Sequence, residues 1–235
     1  MQITDRQKEI LDSVVAEYIS SAEPVSSQLI EKDYDFGICP ATIRSEMQKL
    51  TEGGFLYQPH TSAGRVPTDK GYRFYVDELL KKEFPEEINF GIDELIKGEI
   101  KDTFRLLSLI TKNLATISSN LALSYLPAEK ILWKEGWEEI LQEPEFKEEK
   151  IVASFAAFLK SIEDGFECHK FSPGINIYIG RENPLPKARE FSLIISQCHF
   201  PEEKKGILAI AGPKRMTYEK NIYSLNSLIK LLEKI

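Results

Sequence analysis

The run from Pro59 to Val76, PHTSAGRVPTDKGYRFYV, gathers a histidine, a Thr-Ser pair and an arginine behind a glycine. Three chemistries use such residues: a loop that cradles phosphate, a Ser62 nucleophile with His60 as its base, and a loop that grips nucleic acid without transforming it. A nucleotide loop needs Gly-x-x-x-x-Gly-Lys-Ser/Thr, or Gly-x-Gly-x-x-Gly between a strand and a helix, and neither pattern occurs. Two residues apart in an extended tip, Ser62 and His60 are not expected to meet as nucleophile and base, and no acid is evident to orient the ring. Small polar side chains ending in Gly64-Arg65 suit the third chemistry. Hydroxyls and N–H groups would meet phosphate oxygens while the arginine reaches into a groove. A solvated hairpin tip is the plain alternative.

Two Cys-His dipeptides, Cys168-His169 and Cys198-His199, raise the question of zinc. Neighbours on a strand point to opposite faces, so one dipeptide rarely supplies two ligands, and Cys-x-x-Cys knuckles are absent. No metal and no cofactor is therefore expected. Cys39 falls where a helix N-cap belongs, a place that lowers a thiol's pKa. Redox sensing there is weighed against an incidental small residue.

The elements that must position the loop follow from periodicity. Apolar residues at Ile10, Leu11, Val14, Val15, Tyr18 and Ile19 mark a core-facing helix over 5–21, with Thr4 as its N-cap. VSSQLIEK (25–32) predicts a short second helix, and Pro40 opens a third at PATIRSEMQKL, where its missing N–H costs nothing. Ile43, Met47 and Leu50 face inward, leaving Thr42, Arg44, Ser45, Gln48 and Lys49 outside. FLYQP reads as a strand, the 60–65 loop follows, and a fourth helix starts near Asp69 behind Thr68. Three helices, a strand, a loop and a return make a winged helix-turn-helix over 1–84, and Phe84-Pro85 begins a linker.

Residues 92–126 read as a long helical stretch with a possible break at Gly98. Ile100, Leu107, Leu114 and Leu121 stand seven apart, with Ile96, Ile110 and Ile117 between them. This seam over 85–130 is open to two readings, pairing with a partner chain or packing in its own domain. A helix over 151–162, strands at 175–180, 191–198 and 206–212, and a helix from Tyr218 complete a small α/β domain over 131–235. Its strands lie too close in sequence for all-parallel pairing. Two of them, FSLIIS and GILAIA, are apolar enough that an uncovered edge would invite a second chain.

Composition sets the class. The 235 residues are 42% hydrophobic and 29% charged, as in ordinary globular chains. No apolar run approaches the roughly 20 residues of a membrane span, the first residues lack a signal-peptide core, and three scattered cysteines suit a reducing compartment. A cytoplasmic protein without membrane partners is expected. The net charge of −7 argues against nucleic acid, but its distribution does not. Residues 1–39 set Arg6, Lys8 and Lys32 against eight carboxylates, whereas 40–75 set five cations against Glu46, Glu52 and Asp69. A locally positive face can still hold a polyanion at short range.

Longer stretches carry a specific resemblance. TDRQKEIL, EYISSAEPVSSQLI and CPATIRSEMQKLTEGGFLYQPHTSAGRVPTDKGYRFYVDELL resemble the N-terminal domain of the heat-inducible transcription repressors, the HrcA family. IGREN (179–183), SLIIS (192–196) and GILAIAGPKRMTYEKNI (206–222) are similar to its C-terminal, GAF-like domain. The resemblance implies an α+β protein: a winged helix-turn-helix, a long helix and a truncated GAF-like domain. It also implies a homodimer that binds an inverted-repeat operator on double-stranded DNA upstream of chaperone operons, and that answers to a GroEL-type chaperonin. Thr42, Arg44, Ser45 and Gln48 would lie on the recognition helix, with Lys49 beside them. His60, Thr61, Ser62 and Arg65 would form the wing, so the loop grips and does not catalyse.

Two departures stand out. Cys39 replaces the family's usual serine. Residues 127–138 bridge a gap where family members carry the first half of the GAF-like domain and an inserted dimerisation domain. The competing reading is a winged-helix regulator of other genes that senses a small ligand or protein.

Overall fold

The computed structural model describes residues 3–82, 102–168 and 171–234, in a mixed α+β architecture. The chain divides into two compact units, 1–82 and 83–235. The linker expected from Phe84, the break expected at Gly98, and Ile96 and Ile100 of the seam lie outside the described residues.

The first unit holds α1 (Asp5–Ser21), α2 (Ser27–Asp33), α3 (Pro40–Glu52), a hairpin of β1 (Leu56–Tyr57) with β2 (Val66–Pro67), and α4 (Asp69–Leu79). Its helix starts are chemically specified. Thr4 and Gln7 form a reciprocal capping box on α1, which satisfies donors that the first turn leaves unpaired. Ser26 caps α2 by accepting from Leu29 N at 3.1 Å, and Thr68 caps α4 through Gly71 N at 3.1 Å. The Thr68 hydroxyl also donates to Gly54 O at 2.7 Å, fixing the end of α3 to the start of α4. Ile10, Leu11, Val14, Val15, Ile30, Ile43, Leu50 and Val76, from all four helices, are fully buried and hold the core on which the hairpin sits.

The second unit is built on a five-stranded antiparallel sheet in the order β4-β3-β7-β6-β5. The strands are β3 (Leu121–Leu126), β4 (Ile131–Glu135), β5 (Ile175–Ile179), β6 (Phe191–Phe200) and β7 (Lys204–Pro213). Its described α-helices are α5 (Thr103–Ser118), the single turn α6 (Trp137–Ile140), α7 (Glu149–Cys168) and α8 (Tyr218–Leu232). Phe155, Phe158, Leu159 and Ile162 of α7 join Leu121, Leu123, Leu193, Ile195, Ala209 and Ala211 in one core on one sheet face. On the alternate residues, Thr111 of α5 bonds Ser124 at 2.6 Å and Ser192 bonds Tyr218 of α8 at 2.7 Å. With helices on both faces, the inner strands lose the apolar–polar alternation of a half-exposed sheet.

Two expectations need correction, and one open reading is decided. The helical stretch does not reach residue 126: α5 stops at Ser118, Ser119 turns the chain in the left-handed region (φ 54°), and 121–126 is a strand. Leu107, Ile110 and Leu114 are fully buried within their own unit, so these positions of the seam are internal packing. The sheet has five strands, not three. FSLIIS and GILAIA lie in β6 and β7, each paired on both sides, so neither offers a free edge; β4 and β5 are the outer strands.

Candidate nucleic-acid interface

Helix α3 owes its orientation to Ile43, Met47 and Leu50, which are buried at the i, i+4, i+7 spacing. Arg44, Ser45, Gln48 and Lys49 are consequently exposed and Thr42 is half-buried. At about 100° per residue, these side chains do not share one face. Arg44, Gln48 and Thr51 cluster, whereas Thr42 and Lys49 fall more than about 90° round the helix from them. Lys49 forms an ion pair with Glu46 at 2.8 Å, and Gln7 of α1 donates to the same carboxylate at 2.8 Å. Those hydrogen bonds, the Lys49 one first, hold the Glu46 carboxyl below its usual range. The lysine is thus already engaged, while Arg44 extends with no hydrogen bond or ion pair among the described residues.

The loop between β1 and β2 is a tied turn. Gln58 donates through Nε2 to Thr61 O at 2.9 Å and Ala63 O at 2.8 Å, and Ala63 N bonds His60 O at 2.9 Å. His60, Thr61 and Ser62 are exposed at its tip. His60 Nδ1 lies 3.1 Å from Ser62 Oγ, contrary to the expectation that residues two apart would not meet. The turn curls the chain enough to bring them together. Both are solvent-exposed, which is poor ground for activating a serine.

Arg65 is not at the tip. Its backbone pairs with Val25 in both directions (N to O 2.8 Å, O to N 2.9 Å), which pins the return arm to the entry of α2. Gly64 lies so close to that segment that a Cβ would sit 2.4 Å from the Val25 carbonyl. The half-buried Arg65 side chain folds onto α3, with Nε donating to Thr51 Oγ1 and a terminal nitrogen to Gln48 Oε1, each at 3.1 Å. Gln48 in turn donates to Glu52 at 3.1 Å. Burial first, and then the Arg44 guanidinium, lower the pKa of Arg65 from its ordinary value. Two cations are therefore held near each other with nothing to neutralise them from within the pair.

The result is a cleft of about 440 Å³ lined by Ser26 and Gln28 of the α2 entry, Arg44 of α3, and Thr61, Ser62 and Arg65 of the hairpin. Of the residues expected at the site, the structure brings Arg44, Thr61, Ser62 and Arg65 to one cleft, with Gln48 bonded to Arg65. His60 stands at the tip, and Thr42, Ser45 and Lys49 lie elsewhere on α3. Sequence reasoning missed Gln58 and Thr51, which shape the loop and seat Arg65; no local pattern marks either.

Of the Cys-His dipeptides, Cys198 is buried and its thiol is pushed up to about 12 by desolvation, while His199 is exposed on the other side of β6. His169 lies outside the described residues. No group of three or more metal-type ligands occurs among the described residues.

Comparison with known proteins gives a consistent result. The family described as HrcA protein C terminal domain matches residues 71–222. A heat-inducible transcription repressor HrcA of Acetivibrio thermocellus is 42% identical over 131 residues, covering 55% of this chain and 37% of the relative. The protein of that name from Thermodesulfovibrio yellowstonii is 28% identical over 340 aligned positions, covering 98% of this chain and 97% of its own. That alignment exceeds the 235 residues here by 105 positions, so the longer relative carries internal sequence without a counterpart. Against the first relative, the chain spans only about a third of its length. A crystal structure of a hypothetical protein shares the fold, with a TM-score of 0.76, 22% identity, and coverage of 99% of this chain and 98% of that one. With the family model spanning well over half of its residues, the chain belongs to the HrcA family.

Proposed function

We propose that this protein is a transcription repressor of heat-shock genes, acting as a homodimer on an inverted-repeat operator in the cytoplasm. The relatives' name, heat-inducible transcription repressor, supports the gene class. The cleft that joins Arg44, Arg65, Thr61 and Ser62 supports the chemistry. Residues 1–82 act as a winged helix-turn-helix in which α2 and α3 form the helical pair and the 58–65 loop is the wing. Arg44, extended and unengaged, reaches a base edge from the major groove. Arg65 and the hydroxyls of Thr61 and Ser62 take phosphate oxygens, with Ser45, Gln48 and His60 around them. Thr42 and Lys49 serve at the periphery, and Lys49 must leave Glu46 to join.

An inverted repeat needs two such units at fixed spacing, which is the reason for a dimer. Catalysis has no part in this function. A GroEL-type chaperonin is the partner the family resemblance supplies. Among the described residues no helix is long and apolar enough to cross a membrane.

The observation that carries the reading is the pair of guanidiniums facing one cleft beside the hydroxyls and amide of Ser26, Gln28, Thr61 and Ser62. An electrophoretic shift on chaperone-promoter DNA tests it. The intact inverted repeat should be retained, and destroying one half-site should weaken retention by more than about tenfold. Equal retention of both duplexes would overturn it.

A further inference from the structure

We infer that Gln48 reads an adenine of the operator, and that Glu52 and Arg65 are positioning residues that set its amide for that base. This assignment rests on the DNA reading proposed above and names the base type that one side chain selects. Gln48 and Arg44 stand four residues apart on α3, hence about 6 Å along one face of the helix. Both are exposed. Gln48 differs in being held at both polar ends of its side chain. Arg65 donates to its Oε1 at 3.1 Å, and its Nε2 donates to Glu52 Oε1 at 3.1 Å. Among the described residues Arg44 has no such partner, and Lys49 is held by Glu46 alone.

Those partners leave the amide one orientation. A guanidinium only donates and an ionised carboxylate only accepts. Turning the amide over would set donor against donor at Arg65 and acceptor against acceptor at Glu52. The Arg65 side is itself anchored. Its Nε donates to Thr51 Oγ1 at 3.1 Å, while the Thr51 hydroxyl donates to Met47 O at 2.8 Å, and its backbone pairs with Val25. A residue of the hairpin and the last residue of α3 thus hold one side chain between them.

An amide oxygen can accept twice and an amide nitrogen can donate twice. With one of each spent, Gln48 still offers one acceptor and one donor in a fixed order. Adenine presents the complementary pair in the major groove, its N6 donor beside its N7 acceptor, and a glutamine can take both at once. Guanine offers two acceptors there, one of which would meet the fixed oxygen. A side chain already ordered by two neighbours also gives up less rotamer freedom on binding. Arg65 Nη1 has no partner among the described residues, so holding Gln48 leaves that nitrogen for a phosphate oxygen. At about 3.4 Å per base step, the Gln48 and Arg44 positions should lie about one or two base pairs apart.

The test is fluorescence anisotropy of the full chain on inverted-repeat duplexes in which each base pair, in both half-sites, is replaced in turn by the other three. The unaltered protein should favour adenine at one position by at least about fivefold, and Gln48→Ala should lose that preference alone. Glu52→Leu should reduce the same preference by at least about threefold, and Glu52→Gln, which keeps an acceptor for Nε2, should restore it. Gln48 and Glu52 are exposed, so these variants keep the core intact. Arg65→Lys keeps a charge for phosphate but not the fork that spans Thr51 and Gln48, so it should blunt the preference at the same position. Unchanged preferences in Gln48→Ala, or a uniform loss at every position in Glu52→Leu, would overturn the proposal and leave the DNA reading standing. Equal binding of every duplex by the unaltered protein would overturn both.

Discussion

Gly64→Ala tests whether the hairpin is a docked arm or a free flap. The added methyl would sit 2.4 Å from both C and O of Val25 and 2.5 Å from Pro24 O. All three are backbone atoms, so no side chain can swing aside. Gly64 is not in the left-handed region, so an alanine meets no intrinsic backbone penalty and the clash is the whole effect. Relief requires pulling the arm from Val25, which breaks two backbone hydrogen bonds of 2.8 and 2.9 Å. Each contributes about 0.5–1.5 kcal/mol net, and overpacking a tight site costs about 1–3 kcal/mol. The expected loss is about 2–4 kcal/mol, read as a lower urea midpoint at unchanged slope. Operator affinity should fall too, because Arg65 is seated by the same contact. A loss below about 0.5 kcal/mol would show that the arm is not held against Val25, and the geometry assigned to Arg65 would fail with it.

Three further outcomes follow from single residues. Burial raises the Asp12 carboxyl from 3.8 to about 6, with Glu78 opposing ionisation and Lys82 and Lys8 favouring it. Between those two values the folded chain binds more protons than the unfolded one, so stability falls as pH rises from about 4 to 6. Asp12→Asn should flatten that slope and, discounted for partial exposure, add about 1 kcal/mol at pH 7 in denaturant titrations. Cys39 makes no side-chain cap to α3, so Cys39→Ser should add about 0.5–1 kcal/mol, visible as a higher melting temperature. Arg215, 8% exposed, ion-pairs with Glu143 and with Glu145, the latter at 2.6 Å. Arg215→Met leaves two partly buried carboxylates facing each other and should cost about 2–4 kcal/mol by denaturant titration, whereas a change within about 0.5 kcal/mol would mean solvent already carries them.

Local chemistry made much of the first unit legible. Thr4, Pro40 and Thr68 are start signals whose physics acts within one turn, and the helices they open run as expected. In the second unit the signal failed where burial is two-sided. LALSYL is buried at every residue, so it shows neither strand alternation nor a helical stripe, and the left-handed break before it falls on Ser119 rather than on a glycine. ILWKE was missed with it, and the error made interior strands look like edges. At the candidate site, the outward residues of α3 could be read from Ile43, Met47 and Leu50. The inward fold of Arg65 could not, because it depends on Val25, forty residues away, and on Thr51 and Gln48 of another element.

The proposed function turns on Arg44 reading the operator from the cleft face of α3. Its most direct test is fluorescence anisotropy of the whole chain and of Arg44→Ala on the inverted repeat, on single-base variants of it and on a scrambled duplex, at two salt concentrations. Arg44→Ala should lose about 1–3 kcal/mol on the repeat, lose its preference at one base position, and bind scrambled DNA nearly as before. An equal loss on every duplex would make Arg44 a phosphate contact, and no loss on any would remove the cleft from DNA recognition altogether.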